Sequence, residues 1–175
     1  MAVKQKEGGE GIALLIFLTI AFLSPISLTE TPAPLDYHIK RFWGLPQEAP
    51  PAIIEQEALL AADTHGVDRR LFKALIKVES GWNPRALSHA GAMGLAQVMP
   101  FNHKRCGLRS PKQLWDVVHN TQCGAQILAE ELDNYNGDVV KALQAYNGGP
   151  RCVGRCRESI QYSAKVLANR DSLAG

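Results

Sequence analysis

From residue 52 onward, apolar positions recur every three or four residues in segments separated by glycine, proline and small polar residues. That spacing gives each segment one apolar face as an α-helix. In the first segment Ile54, Ala58, Ala61 and Ala62 share a face and Gly66 supplies the stop, which predicts a helix over about 52–65. Asp68 caps a second helix, in which Phe72, Leu75 and Ile76 line up and which ends near Glu79. Ser110 and Gln113 stand in capping-box spacing around Pro111 and predict another helix start. A further helix begins near Asn120 and carries Ile127, Leu128 and Leu132 towards Tyr135. Asp138 caps one running through Leu143 to Tyr146, and a last helix runs from about Glu158 to Leu167. Between Ser88 and Pro100 the period is lost. Gly91 and Gly94 break helical continuity there and permit close backbone approach, which suits a turn, a small sheet or a plain surface loop.

Before residue 52 the pattern is of another kind. Lys4 and Lys6 precede an uncharged stretch from Gly11 to Leu28 whose body includes Ile12, Leu14, Leu15, Ile16, Phe17, Leu18, Ile20 and Phe22. A positive flank followed by an apolar run is an export signal, although Glu7 and Glu10 dilute the charge. At about 1.5 Å per residue such a helix just spans a bilayer core, with Pro25 shortening its regular part. Thr31 and Ala33 fit a small-x-small cleavage pattern, but Pro34 would then follow the cut. Residues 1–28 are therefore expected to be an uncleaved anchor, with a removed signal peptide as the alternative. Residues 29–51 carry Pro32, Pro34, Pro46, Pro50 and Pro51 and read as a spacer. Tyr37, Phe42 and Trp43 make it less polar than a free linker, so part of it is expected to dock on the domain. That assigns 52–170 to a single domain, which a chain of 175 residues accommodates.

The formal net charge is only +2 and reads as unclustered, so no basic stripe argues for nucleic acid. A mildly basic surface suits an anionic polymer. The five histidines show no ligand spacing, and neither a metal nor a cofactor is expected.

The chemistry converges on Glu79. Helical spacing puts it on the same face as Phe72, Leu75 and Ile76, at the helix end. Desolvation disfavours its charged form, and the partial negative charge of the helix C-terminus disfavours it again. Both push the pKa upward, towards a proton donor near neutral pH. The plain alternative is a helix-end carboxylate reaching water or pairing with Lys73 or Lys77. Between Glu79 and Asp116 the chain has no other acid, so no partner carboxylate lies nearby in sequence; Asp116, Glu130, Glu131, Asp133, Asp138 and Glu158 are the later candidates.

From Glu79 the chain reads ESGWNPRALSHAGAMGLAQVMP, then ALQAYNGGP at 142–150 and RESIQYSAKVL at 157–167. In motifs, order and spacing, roughly residues 52 to 168 resemble the catalytic domain of the lysozyme-like lytic transglycosylases. The resemblance implies a lysozyme-like fold, α+β but mainly α, with the 88–100 region as a small loop or sheet lining a groove. It also implies cleavage of the β-1,4 bond between N-acetylmuramic acid and N-acetylglucosamine in peptidoglycan. In that family one glutamate makes both proton transfers, and the C6 hydroxyl closes a 1,6-anhydro ring without water or cofactor. Carried over by position, Glu79 matches the acid/base and Ser88 a hydroxyl that contacts the sugar or the glutamate. Gln97 and Met99 match groove-lining residues. Tyr146 and Asn147 match a motif whose tyrosine hydroxyl lies near the acid, and Glu158 and Tyr162 match the closing motif. Each has a structural alternative: a turn cap for Ser88, backbone bonding for Gln97, core for Tyr146, a helix-terminal carboxylate for Glu158, and packing or turn roles for the rest. Trp82 and Trp115 read as core rather than as sugar platforms.

Two departures from the family pattern stand out. GLAQ replaces GLMQ at Ala96, which would remove a bulky side chain beside the groove, and AYNGGP replaces AYNAGP at Gly148, a small-for-small change.

The four cysteines lie in the part that would be exported, which favours disulfides, and three pairings are open. We favour Cys106 with Cys123 and Cys152 with Cys156, since each bridge would pin a loop next to a motif. A zinc site is the rival, although neither pair has C-x-x-C spacing. The expected partners are peptidoglycan glycan strands, the inner membrane through the N-terminal segment, and by analogy a secretion or conjugation complex. The expected location is periplasmic. Two other functions compete: a lysozyme-type hydrolase that uses water, and a wall-binding assembly protein.

Overall fold

The structure, a computed structural model, describes Ala49 and residues 51–173. The expected anchor over 1–28 and the linker up to residue 48, together with Pro50, lie outside the described residues. Among the described residues no helix is long and apolar enough to cross a membrane.

Among the described residues five α-helices carry the fold. Helix α1 (Pro51–Thr64) starts with proline at its first position, where the missing N–H would have had no intrahelical partner. Its buried stripe is Ile53, Ile54, Ala58, Ala61 and Ala62, and Gly66 turns the chain out at φ 67°. Helix α2 (Arg69–Glu79) is capped by Asp68, whose carboxylate accepts from the Leu71 N–H at 2.8 Å, and buries Leu71, Phe72, Ala74, Leu75 and Ile76. The capping box of Ser110 and Gln113 forms, but it opens a five-residue 3-10 helix, Pro111–Trp115, rather than an α-helix. Asp116 then adopts extended dihedrals and accepts from the His119 N–H. Helix α3 (Val117–Asn134) therefore begins three residues before the expected Asn120. Helix α4 (Val139–Gly148) is capped by Asp138; α5 (Arg157–Ser172) follows Cys156, whose side chain makes no capping bond, and continues beyond Leu167. Two further 3-10 helices, Pro100–His103 and Pro150–Cys152, carried no periodic signal.

Helix α3 is the spine. It packs against α1 on one side and α4 on the other, α5 bridges α4 and α2, and α1 closes on α2. Phe72, Leu75, Ile76, Leu95, Leu114, Leu128 and Leu143 are fully buried at the centre. The 87–98 segment folds through antiparallel bridges Leu87 to Met93 and Met93 to Val98, a minimal sheet laid on α3. Asn120 fastens it: its Oδ1 accepts from the Ala96 N–H at 2.8 Å, and its Nδ2 donates to the Met93 and Leu114 carbonyls, each at 2.8 Å.

Both departures in the motifs acquire a physical reason here. Ala96 is wholly buried against α3, where a Cβ on Gly124 would come within 2.4 Å of the Ala96 methyl. Position 96 is thus a packing position in the core, and its side chain faces the helix instead of an open groove. The disulfides join Cys106 to Cys123 and Cys152 to Cys156. At Gly148 a Cβ would meet Ser159 Oγ at 2.3 Å and Cys152 Cβ and Sγ at 2.7 and 3.0 Å. The exchange is therefore not neutral: the bridge and Ser159 occupy the space of the alanine methyl. Gly148→Ala is expected to destabilise the oxidised protein by about 1–3 kcal/mol, as overpacking does, read as a lower melting temperature in thermal denaturation.

Candidate active site

The acid stands where α2 stops. Ser80 closes the helix through its N–H to the Ile76 carbonyl at 3.0 Å, and Gly81 follows at φ 61°. Trp82 continues in the left-handed region at φ 71°, which is costly for a bulky residue and here is stabilised by packing of its ring against the core. Helix α2 cannot run on, and Glu79 is fixed on its last turn. Across from it α5 presents Tyr162, whose hydroxyl donates to Glu79 Oε1 at 2.6 Å. Burial raises the Glu79 pKa to about 7, against the opposing pull of the Tyr162 hydrogen bond and the Lys165 ammonium one turn further along α5.

Two tyrosines serve this carboxylate differently. Tyr162 holds it directly. The Tyr146 hydroxyl, from α4, donates to the Ala96 carbonyl at 2.7 Å and so ties the 93–98 turn to the helices. Burial, and then the charge of Glu79, keep both phenols well above their usual pKa, so both remain donors. Removing the Tyr162 hydroxyl takes away a bond that favours the ionised acid. Tyr162→Phe is therefore expected to move the alkaline limb of the pH–rate profile, where protonated Glu79 is lost, to higher pH and to lower kcat roughly tenfold, the scale of a hydrogen bond to a charged group.

The remaining sequence candidates divide. Ser88 stands in a turn, its Oγ accepting from the Ala92 N–H at 2.9 Å. Gln97, at φ 46°, directs its amide N–H group to the Ala86 and Gly94 carbonyls at 3.1 and 2.8 Å. Its side-chain oxygen is the part left to accept from a ligand. Met99 is half-buried at the start of the Pro100–His103 turn. Asn147 is exposed beyond Tyr146, its Oδ1 accepting from Ser159 at 2.9 Å. Glu158 lies exposed in the first turn of α5, four residues before Tyr162. Trp82 packs against the core as expected, but Trp115 is 41% exposed, because Leu114 beside it takes the core position. Lys165 and Ser159 were not singled out from sequence; their three-residue spacing from Tyr162 on α5 was the available signal.

Among the described residues no other carboxylate is a cause of the Glu79 shift. Asp116 and Asp138 cap helices, Glu130 and Glu131 pair with Arg105, and Asp133 and Glu158 are exposed. The arrangement is one acid, poised to give or take a proton near pH 7, with one phenol to steady its ionised form. Among the described residues no group of histidine, cysteine or acidic side chains is arranged to hold a metal.

The family model described as Transglycosylase SLT domain matches residues 56–167. A transglycosylase of Enterobacteria phage PRD1 is 38% identical over 66% of this chain and 42% of its own length. Membrane-bound lytic murein transglycosylase C of Klebsiella pneumoniae is 30% identical over 82% of this chain and 41% of its own. The chain thus spans less than half the length of these relatives. Among solved structures, an inactive mutant of lytic transglycosylase Slt from Pseudomonas aeruginosa aligns with TM-score 0.62 at 27% identity, over 66% of this chain and 23% of that one. The 70 kDa soluble lytic transglycosylase of Escherichia coli aligns with TM-score 0.61 at 24% identity over the same shares, a likeness of fold.

Proposed function

The chain belongs to the transglycosylase SLT domain family, and on that premise we propose that its domain, residues 52–170, is a peptidoglycan lytic transglycosylase. It cleaves the β-1,4 bond from N-acetylmuramic acid to N-acetylglucosamine and leaves a 1,6-anhydro end. The observation that carries this reading is the solitary acid with its pKa raised to about 7 and its hydrogen bond from Tyr162. Most glycosidases divide the work between two carboxylates; here one group has to serve twice.

In the first step protonated Glu79 gives its proton to the glycosidic oxygen as the C1–O bond breaks, and N-acetylglucosamine leaves as an alcohol. The carboxylate so formed is stabilised by Tyr162 and by Lys165. In the second step it removes the proton of the C6 hydroxyl while O6 bonds to C1. The acid is regenerated and no water is consumed. A pKa near 7 suits a group that must be present in both forms at physiological pH.

The test is product analysis of digested wall by mass spectrometry. Anhydro ends are expected; reducing ends would replace this reading with a water-using hydrolase, and absence of any cleavage would favour a wall-binding assembly protein. The apolar stretch at 11–28 further supports export and tethering to the inner membrane, with periplasmic action on the wall beside it. A tethered enzyme suits local opening for a secretion or conjugation machine. Fractionation of cells that express the full chain checks the tethering: membrane pelleting that survives high salt is expected, and a soluble periplasmic protein would refute it.

A further inference from the structure

The α4–α5 hairpin carries a charge imbalance that the overall +2 conceals. Between Asp138 and Asp171 stand Lys141, Arg151, Arg155, Arg157, Lys165 and Arg170, against Glu158 as the only acid. Lys141 pairs with Asp138 and Arg170 with Asp171 at the hairpin's far ends. At the tip, Arg151, Arg155 and Arg157 are exposed, and their guanidinium groups have no acidic or hydrogen-bonding partner among the described residues. Arg69 and Arg105, by contrast, each have a carboxylate.

The tip is also built to keep its shape. The Cys152–Cys156 bridge closes it, and the Cys156 N–H returns to the Cys152 carbonyl at 3.0 Å. The Gly154 N–H is held by Gln144 Oε1 at 2.7 Å, and Gln144 in turn donates to Ser163 on α5. The bridge lies against Gly148, two residues past Tyr146, while Arg157 precedes Tyr162 by five residues on α5, about 7.5 Å along the helix axis. The exposed arginines thus stand on a closed loop that follows the helix of Tyr146 and leads into the helix of Tyr162.

Resting on the proposed wall substrate, we propose that this disulfide-closed loop binds the carboxylates of the peptides attached to the glycan strand. It would thereby make the enzyme prefer peptide-bearing over peptide-free glycan. The sugars of such a strand are neutral at their hydroxyls and acetamides, and the anionic charge is concentrated on the lactyl-linked peptides. Guanidinium forks match carboxylates in two-point geometry. Glu158 fits the same scheme: as the one opposing charge at the tip it limits non-specific attraction to anions.

The experiment uses the full chain, oxidised, with Arg151→Gln, Arg155→Gln and Arg157→Gln combined, and a matching triple lysine variant. Steady-state cleavage and binding of labelled soluble strands are measured with peptides present and after an amidase has removed them. The glutamine variant is expected to raise KM about tenfold on peptide-bearing strands, the sum expected of three surface pairs. Its kcat should be unchanged, the effect should fade with added salt, and the rise in KM should be clearly smaller on peptide-free strands, which keep a single lactyl carboxylate on each N-acetylmuramic acid. The lysine variant should keep most of the preference. Equal behaviour of wild type and glutamine variant on both strands would overturn the proposal. So would a loss confined to binding of phosphatidylglycerol vesicles, which would make the loop a lipid contact. If the wild type yielded no anhydro ends yet still bound peptide-bearing strands through the arginines, the catalytic reading would fall and this one would stand.

Discussion

Replacing Glu79 by glutamine is expected to reduce glycan cleavage at least about a thousandfold, within the range general acid–base catalysis contributes, because the same group is needed in both steps. Binding of glycan strands should persist, since the amide keeps the size of the carboxyl and its carbonyl still accepts from Tyr162. The same substitution has a second, independent signature. In the folded protein the acid titrates at about 7, against 4.5 as the ordinary value. As pH rises from 4.5 the unfolded chain gives up this proton first, so it holds fewer protons than the native state and stability falls. The fall is complete above about pH 7 and amounts to up to about 3 kcal/mol. Chemical denaturation of the two proteins should therefore converge below pH 4.5, and at pH 8 the glutamine variant should be the more stable. Equal stability across this range would mean that the carboxylate is not desolvated and would remove the basis for its role as a neutral-pH acid.

Asn120→Ala should unfold the site without touching the acid. Three buried backbone groups, the Ala96 N–H and the Met93 and Leu114 carbonyls, would lose their partner together. With about 1–3 kcal/mol for each buried polar group left unmade, and partial repair by water, the loss should be about 3–5 kcal/mol. The 93–98 turn would be released first, because Asn120 is its tie to α3, and the Tyr146 bond to Ala96 would lose its fixed end. Stability curves in urea should show the drop, and hydrogen exchange should show early opening of the amides at Ala96 and Val98. Asn120→Asp is the more discriminating partner variant: it retains the acceptor for Ala96 but turns a donor towards two carbonyls into a repelling oxygen.

Helix ends were legible in the sequence where the deciding groups are neighbours. Asp68 and Asp138 cap the helices that follow them because a cap acts within three residues. The start of α3 was misplaced for the same reason in reverse. Asn120 has the side chain of a cap, but its partners are 6, 24 and 27 residues away, and only the folded chain brings them together. The acid was readable because an apolar stripe ending in a carboxylate is a local contradiction. Its companion was not: Tyr162 is 83 residues distant, and the resemblance alone pointed to it. The clustering of arginines at the tip of α4–α5 was visible in the sequence but hidden by an overall charge near zero. Trp115 turned outwards because the short 3-10 turn that carries it has room for one inward residue, and Leu114 is that residue.

The close quarters at positions 96 and 148 bear on how this protein can be engineered. Family-average substitutions are a common route to hardier variants. Here they would act against the fold, since reverting Gly148 to the usual alanine intrudes on a bridge, and enlarging Ala96 intrudes on Gly124. Each motif departure is matched to its neighbours in this fold, so a larger residue at either position calls for a change at the side chains it would meet.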